Sequence, residues 1–172
     1  ELNINFVGAK VNKITNKRVM KVYKFGGASV KNADGVRNLL DIVTGEKELF
    51  IIVSAMGKTT NALEGVFAAM QQGDEALAIS RIDESYAYHR TIIDDLMGAD
   101  ITIEQVDTLF EQLRNIVRNT IYRASDAELW YDTIVAYGEL VSTTIISNYL
   151  NGHGVENRWV DMRRAFLTEQ RH

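Results

Sequence analysis

Three short stretches concentrate residue types that handle anions. In 24-KFGGAS-29 a lysine is followed by two glycines and a hydroxyl. Gly26 and Gly27 permit positive φ and close backbone approach, so successive N–H groups can surround an anion, helped by the positive end of a following helix. Lys24 would add a point charge and Ser29 a further donor. An ordinary strand-to-helix turn with a surface lysine accounts for the same residues. In 54-SAMGKTT-60, Ser54, Thr59 and Thr60 stand where a helix begins, able either to hold a carboxylate or simply to cap the helix. Lys58 reads as a solvated loop charge. The run is not a P-loop, because GxxxxGK[ST] needs a glycine five positions before Gly57 and that position is Ile52. The third feature is Glu139, the only charged residue between Asp132 and Glu156. Ile134, Val135, Tyr137, Leu140, Val141, Ile145 and Ile146 surround it over nearly the whole helical circumference, which predicts burial. A buried carboxylate needs compensation. Its partner is either a cation of this chain or the ammonium of a ligand.

Other polar groups carry less. Asp94 with Asp95 and Arg163 with Arg164 read as solvated faces, and Trp130, Tyr137 and Tyr149 as core or interface aromatics. His89, His153 and His172 show neither HxH nor HExxH spacing, so no protein-built metal site is expected. Cysteine is absent, which removes disulfides, thiolate ligands and thiol catalysis and suits a reducing cytoplasm.

These groups must be positioned by a packed domain. The chain has 172 residues, 46% hydrophobic and 24% charged, in the range of one globular domain. With 19 basic against 23 acidic residues it lacks the electrostatic footprint of a nucleic-acid binder. Its longest apolar runs, as in 49-LFIIVSAMG-57, are strand-sized, so a soluble cytoplasmic protein is expected. Proline is absent too, which favours long helices.

The pattern predicts an α/β layer fold. Residues 20–25 form a first strand, Asn32 to Thr44 an amphipathic helix ended by Gly45, and 49–53 a strand covered on both faces in a parallel sheet. A helix follows, with its cap near Thr59 to Asn61. Further helices are predicted over Ser80–Met97, Thr102–Arg123 and Ala127–Leu150, with capping boxes at Thr102/Gln105 and Ser125/Glu128. Val155–Val160 reads as another strand. Residues 1–19 read as an extension, non-native or disordered, or as an edge strand with alternating Leu2, Ile4 and Phe6.

The strings 21-KVYKFGGASVKNADGVRNL-39, 51-IIVSAMGKTTNAL-63, 138-GELVSTTIISNYLNGHGV-155 and 160-VDMRRAFLT-168 together resemble the amino-terminal part of aspartokinases, in the amino-acid kinase family. The resemblance runs from Met20 to about Thr168. It implies a three-layer αβα fold, mainly parallel, with a long helical insert, and places 20–172 in the amino-terminal part of a catalytic domain. It further implies transfer of the ATP γ-phosphoryl group to the side-chain carboxylate of L-aspartate, the entry to lysine, threonine and methionine biosynthesis. Under it, Lys24 offsets charge on the transferring phosphoryl, and Gly26, Gly27 and Ser29 line the phosphate side. Ser54 and Thr60 match residues that hold aspartate, and Glu139 matches the acid that binds the substrate ammonium. ATP and Mg²⁺ are the implied cofactors, no metal is held by protein ligands alone, and a homo-oligomer is the implied assembly. The family's nucleotide-binding half, with its Gly-Ser-Asp motif, and its ACT domains would follow, so this stretch alone reads as an inactive fragment. Alternatives are another amino-acid kinase, or a stand-alone amino-acid-binding regulatory module without catalysis.

Overall fold

Two apolar runs pair first. The strands β1 (Lys21–Phe25) and β2 (Leu49–Val53) lie parallel, with Lys21 opposite Leu49 and Phe25 opposite Val53. A parallel pair needs a crossover, and α1 (Ala33–Val43) supplies it, burying Val36, Leu39 and Val43. Asn32 caps this helix by accepting from the Gly35 N–H at 3.0 Å. The computed structural model describes residues 20–164, so the extension read over 1–19 and the end of the last resemblance string lie outside the described residues.

Side chains alternate across the pleat. Tyr23, Phe25, Ile51 and Val53 face the helical core. Val22, Lys24, Phe50 and Ile52 face outwards, with Phe50 37% and Ile52 43% exposed. The expected cover on both faces of β2 is therefore not found among the described residues.

The helical bulk is α2 (Thr59–Gln71), α3 (Glu75–Met97), α4 (Glu104–Asn119), α5 (Ala127–Val135) and α6 (Tyr137–Gly152). Leu39, Met56, Leu63, Ile82, Ile93, Leu113, Ile134 and Ile145 are fully buried between these elements. A helix-rich α/β chain with a small parallel sheet is what the sequence pattern calls for.

Several boundaries differ from the sequence expectation. The third helix begins at Glu75, ahead of Ser80, because Gly73 turns the chain at φ +70° and Asp74 caps by accepting from the Leu77 N–H. Neither capping box forms: α4 starts after Ile103 without a side-chain cap, and the Ser125 hydroxyl donates to Asp126 instead. The fourth helix ends at Asn119. The span 127–150 breaks at Ala136, and Gly138 in the following turn seats on Ala55. Val155–Val160 is irregular, with no strand beside it among the described residues. Its polar groups pair with α6 instead: Asn157 with Ser147 and Asn151, and the Trp159 indole N–H with Thr143 Oγ1 at 2.9 Å.

Candidate functional site

Both parallel strands deliver the chain into a candidate loop at their carboxyl ends, the place where open α/β sheets hold ligands. Phe25 leads into a single 3₁₀ turn over Gly27–Val30, and Val53 leads into Ser54–Lys58. Backbone bonds lock the loops together. The Ser54 N–H donates to the Phe25 carbonyl and the Gly57 N–H to the Gly27 carbonyl, both at 3.0 Å.

Glycine is demanded at some of these positions and not at others. A Cβ on Gly27 would overlap the Ala55 carbonyl oxygen, so close approach holds there. Gly26 has φ −76° and nothing within 4 Å of its missing Cβ. Neither glycine has positive φ, so the expected left-handed conformation is not used. Gly57 does use it, at φ +54°. That turn is what swings the chain from β2 into α2.

The third constellation meets the same loop. A Cβ on Gly138 would lie 2.8 Å from Ala55 Cβ, so α6 can seat only because residue 138 has no side chain. Ser142, fully buried, donates its hydroxyl to the Ser54 carbonyl at 3.0 Å. Glu139 Oε1 accepts from the Ala55 N–H at a long 3.4 Å. Residues Ser54 to Gly57 are thus the junction of all three stretches.

Glu139 corrects the sequence reading. Its helix is largely buried, yet Glu139 itself is exposed. The physical reason is a stripe at four-residue spacing, Glu139, Thr143, Ser147 and Asn151, which turns away from the core while the apolar side chains fill the rest. The carboxylate sits in the first turn of α6, where the helix dipole favours a negative charge. It makes no ion pair with a described residue.

The remaining candidates are similarly unspent. Lys24, exposed on the outer sheet face beside Ile52, has no ion-pair partner among the described residues. The hydroxyls of Ser29, Ser54 and Thr60 donate to no described residue; Ser29 is exposed, Ser54 and Thr60 half-buried. Thr59 differs: buried, it donates to the Met56 carbonyl at 2.6 Å and closes the helix start. The structure joins the strand ends, the glycine loop and the α6 amino end at the Ser54–Gly57 loop, with the Glu139 carboxylate on the Ala55 N–H. Such a set can hold a zwitterion and an anion side by side.

Two features outside these loops fill in the picture. Arg163, read from sequence as a solvated charge, is held on both oxygens of Asp161, and its charge acts on Tyr137. A shallow groove of about 720 Å³ along α3 and α4 lies apart from the loops and is lined by Glu75, Asp83, Glu84 and Arg118. Three carboxylates against one arginine suit an anionic ligand poorly, so the loops remain the candidate site. Sequence reasoning missed Ala55, Gly138 and Ser142 as the parts that join the stretches, and missed Tyr88 and His89 behind them.

Among the described residues no helix is long and apolar enough to cross a membrane. Residues 19–171 match the amino acid kinase family. A bifunctional aspartokinase/homoserine dehydrogenase 2 of Zea mays, chloroplastic, is 31% identical over 152 residues, covering 85% of this chain and 16% of that protein. The lysine-sensitive aspartokinase 3 of Escherichia coli is 26% identical over 151 residues, 87% of this chain and 32% of that protein. The crystal structure of E. coli aspartokinase III with aspartate and ADP superposes with a TM-score of 0.70 at 24% identity, over 89% of this chain and 33% of that one. The sequence therefore spans a third or less of these relatives. By the extent of the family match, this chain is a member of the amino acid kinase family.

Proposed function

We propose that these residues form the aspartate side and the first phosphate loop of an aspartate kinase. The observation that carries the reading is that the Ser54–Gly57 loop is bonded both to the glycine loop, through Gly57 N–H and the Gly27 carbonyl, and to the start of α6, through Glu139 and Ser142, while the Ser54 and Thr60 hydroxyls donate to no described residue. The relatives named aspartokinases and a neighbour holding aspartate and ADP support it.

In the proposed reaction a side-chain carboxylate oxygen of L-aspartate attacks the γ-phosphorus of ATP. The new O–P bond forms as the bond to the bridging β,γ-oxygen breaks, giving β-aspartyl phosphate and ADP. No general base is needed, since the attacking carboxylate is already ionised. The difficulty is to bring two anions together, so catalysis rests on positioning and charge compensation. Glu139 holds the substrate ammonium, and Ser54 and Thr60 donate to its carboxylates. Lys24 offsets charge on the transferring group, with Gly26, Gly27 and Ser29 lining its path. The open space at Gly26, which no described residue occupies, fits a phosphate oxygen approaching the backbone. Mg²⁺ enters with the nucleotide and neutralises its phosphates when bound. The reading takes residues 20–172 as the first part of the catalytic domain, in a cytoplasmic, self-associating enzyme of lysine, threonine and methionine biosynthesis.

Calorimetric titration of the protein with L-aspartate, and separately with Mg-ATP, tests the assignment. Glu139→Ala is expected to weaken aspartate binding by about 10- to 100-fold, the loss of one charge-assisted bond. Aspartate binding that is indifferent to Glu139→Ala and Ser54→Ala would sink it. Amino-acid binding with no phosphoryl transfer in the longest native polypeptide containing this sequence would favour a regulatory module instead.

A further inference from the structure

The two loops are braced from behind by one dipeptide of α3. Tyr88 and His89 are neighbours in sequence, yet they reach different partners because successive side chains on a helix diverge by about 100°. The Tyr88 hydroxyl donates to the Lys31 carbonyl at 2.5 Å, at the exit of the glycine loop. The same oxygen lies 2.6 Å from where a Cβ on Gly57 would stand, so it also abuts the second loop.

His89 has no exposed surface. Its Nδ1 lies 2.7 Å from the Ser85 carbonyl, a group that only accepts, so in the neutral ring that nitrogen carries the proton. Nε2 is left with its lone pair towards Thr59 Oγ1 at 3.3 Å. The single hydroxyl proton of Thr59 therefore has two acceptors, Met56 O and His89 Nε2, and both fix the residue next to Thr60. Ring contacts with Tyr88 and Phe110, at centroid distances of 5.0 and 5.7 Å, hold the imidazole in place.

Elsewhere α3 buries aliphatic side chains such as Ile82, Ile92 and Ile93, which pack without direction. Its other polar contacts to the rest of the chain run to α1, to α4 or to the loop that follows α3: the Asp95 carbonyl with Arg37, Tyr86 with Asp107, Asp83 with Arg114, and Arg90 with the Ala99 and Ile101 carbonyls. Only the 88–89 pair, among the described residues of this helix, runs to both candidate loops.

We propose that Tyr88 and His89 are positioning residues that set the spacing between the glycine loop and the Ser54–Thr60 loop through Lys31 O, Gly57 and Thr59. The inference rests on reading those loops as the donor and acceptor sides of one cleft. The Tyr88 hydroxyl proton is spent on the Lys31 carbonyl, and a fully enclosed imidazole has no route for exchanging a proton with a ligand.

Hydrogen–deuterium exchange on the 172-residue protein, read by segment, provides the test for Tyr88→Phe, His89→Leu and His89→Gln. In Tyr88→Phe and His89→Leu the amides of 26–31 and 54–60 should exchange about five- to ten-fold faster, with the buried amides of 144–150 unchanged. His89→Gln, which can again bond Thr59, should restore most of the protection of 54–60. Unchanged loop exchange in Tyr88→Phe overturns the proposal, as does acceleration spread evenly over all helices. Tyr88→Phe removes one hydroxyl from a partly exposed side chain, so it decides the matter even if His89→Leu does not fold. Aspartate titration of the same proteins separates the two readings. Loosened loops with wild-type affinity overturn the positioning role alone, whereas a wild type that binds no aspartate removes the functional reading on which the role depends.

Discussion

The cleft half of the molecule and one cluster in the helical half treat their polar groups differently. Between α3 and α4 a set of charges is consumed internally: Arg114 bonds Asp83 and Glu111 and lies over the Tyr86 ring, Arg90 bonds Asp94 and two loop carbonyls, and Tyr86 bonds Asp107, although Glu84 and Arg118 form no ion pair among the described residues and Arg81 Nε is buried without a hydrogen-bond partner. Around the strand ends the backbone is tightly tied while Lys24, Ser29, Ser54 and Thr60 donate to no described residue, and Glu139 has one long contact. A folding domain gains by pairing such groups. Where the frame is rigid and its side chains are left unspent, the arrangement is suited to a partner from outside the chain.

The sharpest way to break the contrast is Lys24→Ala in a polypeptide that carries the complete catalytic domain. Because Lys24 is exposed and unpaired, folding should be unaffected. Turnover should fall by about 10²- to 10³-fold, the usual cost of removing one charge-stabilising group from a transition state. A kinetic assay with saturating aspartate and Mg-ATP checks this. Turnover within a factor of three of wild type would place Lys24 with the structural charges.

Much of this organisation is legible in the amino-acid sequence, and where the two differ the causes are physical. The strand–loop–helix rhythm of 20–71 is local, set by apolar runs, by Gly45 and Gly57 and by the Asn32 cap, so its elements fall within a residue or two of expectation. Glu139 reads as buried when its apolar neighbours are counted without following the Glu139, Thr143, Ser147, Asn151 stripe. The strand expected at Val155–Val160 has the right local composition, but a strand exists only with a neighbour to pair with, and α6 provides hydrogen bonds of another kind. The junction at Ala55 has no local signal. Its close contacts with Gly27 and Gly138 join positions distant in sequence, and only the assembled backbone shows why those glycines have no side chain.

The next largest effect comes from the link between the halves. Burial pushes the His89 ring down to about 4, partly offset by its Ser85 carbonyl. Tyr88 and Tyr137, the titratable groups around it, are raised by burial and neutral throughout the acid range. The unfolded chain therefore binds a proton near pH 6.5 that the folded chain refuses until about pH 4. This contribution is intact above pH 6.5 and is lost as pH falls towards 4, to a total of about 3 kcal/mol. Urea unfolding at pH 7 and pH 4 should show His89→Gln losing less stability between the two than wild type by about that amount. Equal losses would mean that the ring is solvated in the native state.

A smaller effect separates the adjacent glycines. Gly27→Ala forces the Ala55 carbonyl to move and should destabilise by about 1–3 kcal/mol in urea unfolding. Gly26→Ala meets nothing and has ordinary φ, so stability should be unchanged or higher by up to about 1 kcal/mol. If the space at Gly26 receives phosphate, the same variant should raise the KM for Mg-ATP in the complete domain. A fully active Gly26→Ala would return that glycine to ordinary turn chemistry.

The smallest expected change lies in the helical half, and it is the one that makes the comparison quantitative. The Arg114 side chain is 14% exposed, but its partners Asp83 and Glu111 are 56% and 59% exposed, so water screens both ion pairs. Screened pairs contribute little, and the guanidinium over Tyr86 adds a comparable increment. Arg114→Ala should therefore lower unfolding free energy by about 1 kcal/mol and leave aspartate affinity as in wild type. The affinity is the informative part. The groups that Arg114 joins run from α3 to α4 and touch neither loop, whereas Tyr88 and His89, on the same α3, touch both. If Arg114→Ala weakened aspartate binding as much as Tyr88→Phe, α3 would act as a single lever and the division between a consumed half and an unspent half would not describe how this protein holds its ligand. If affinity moves only with Tyr88 and His89, coupling passes through two side chains, and the rest of the helix serves as their support.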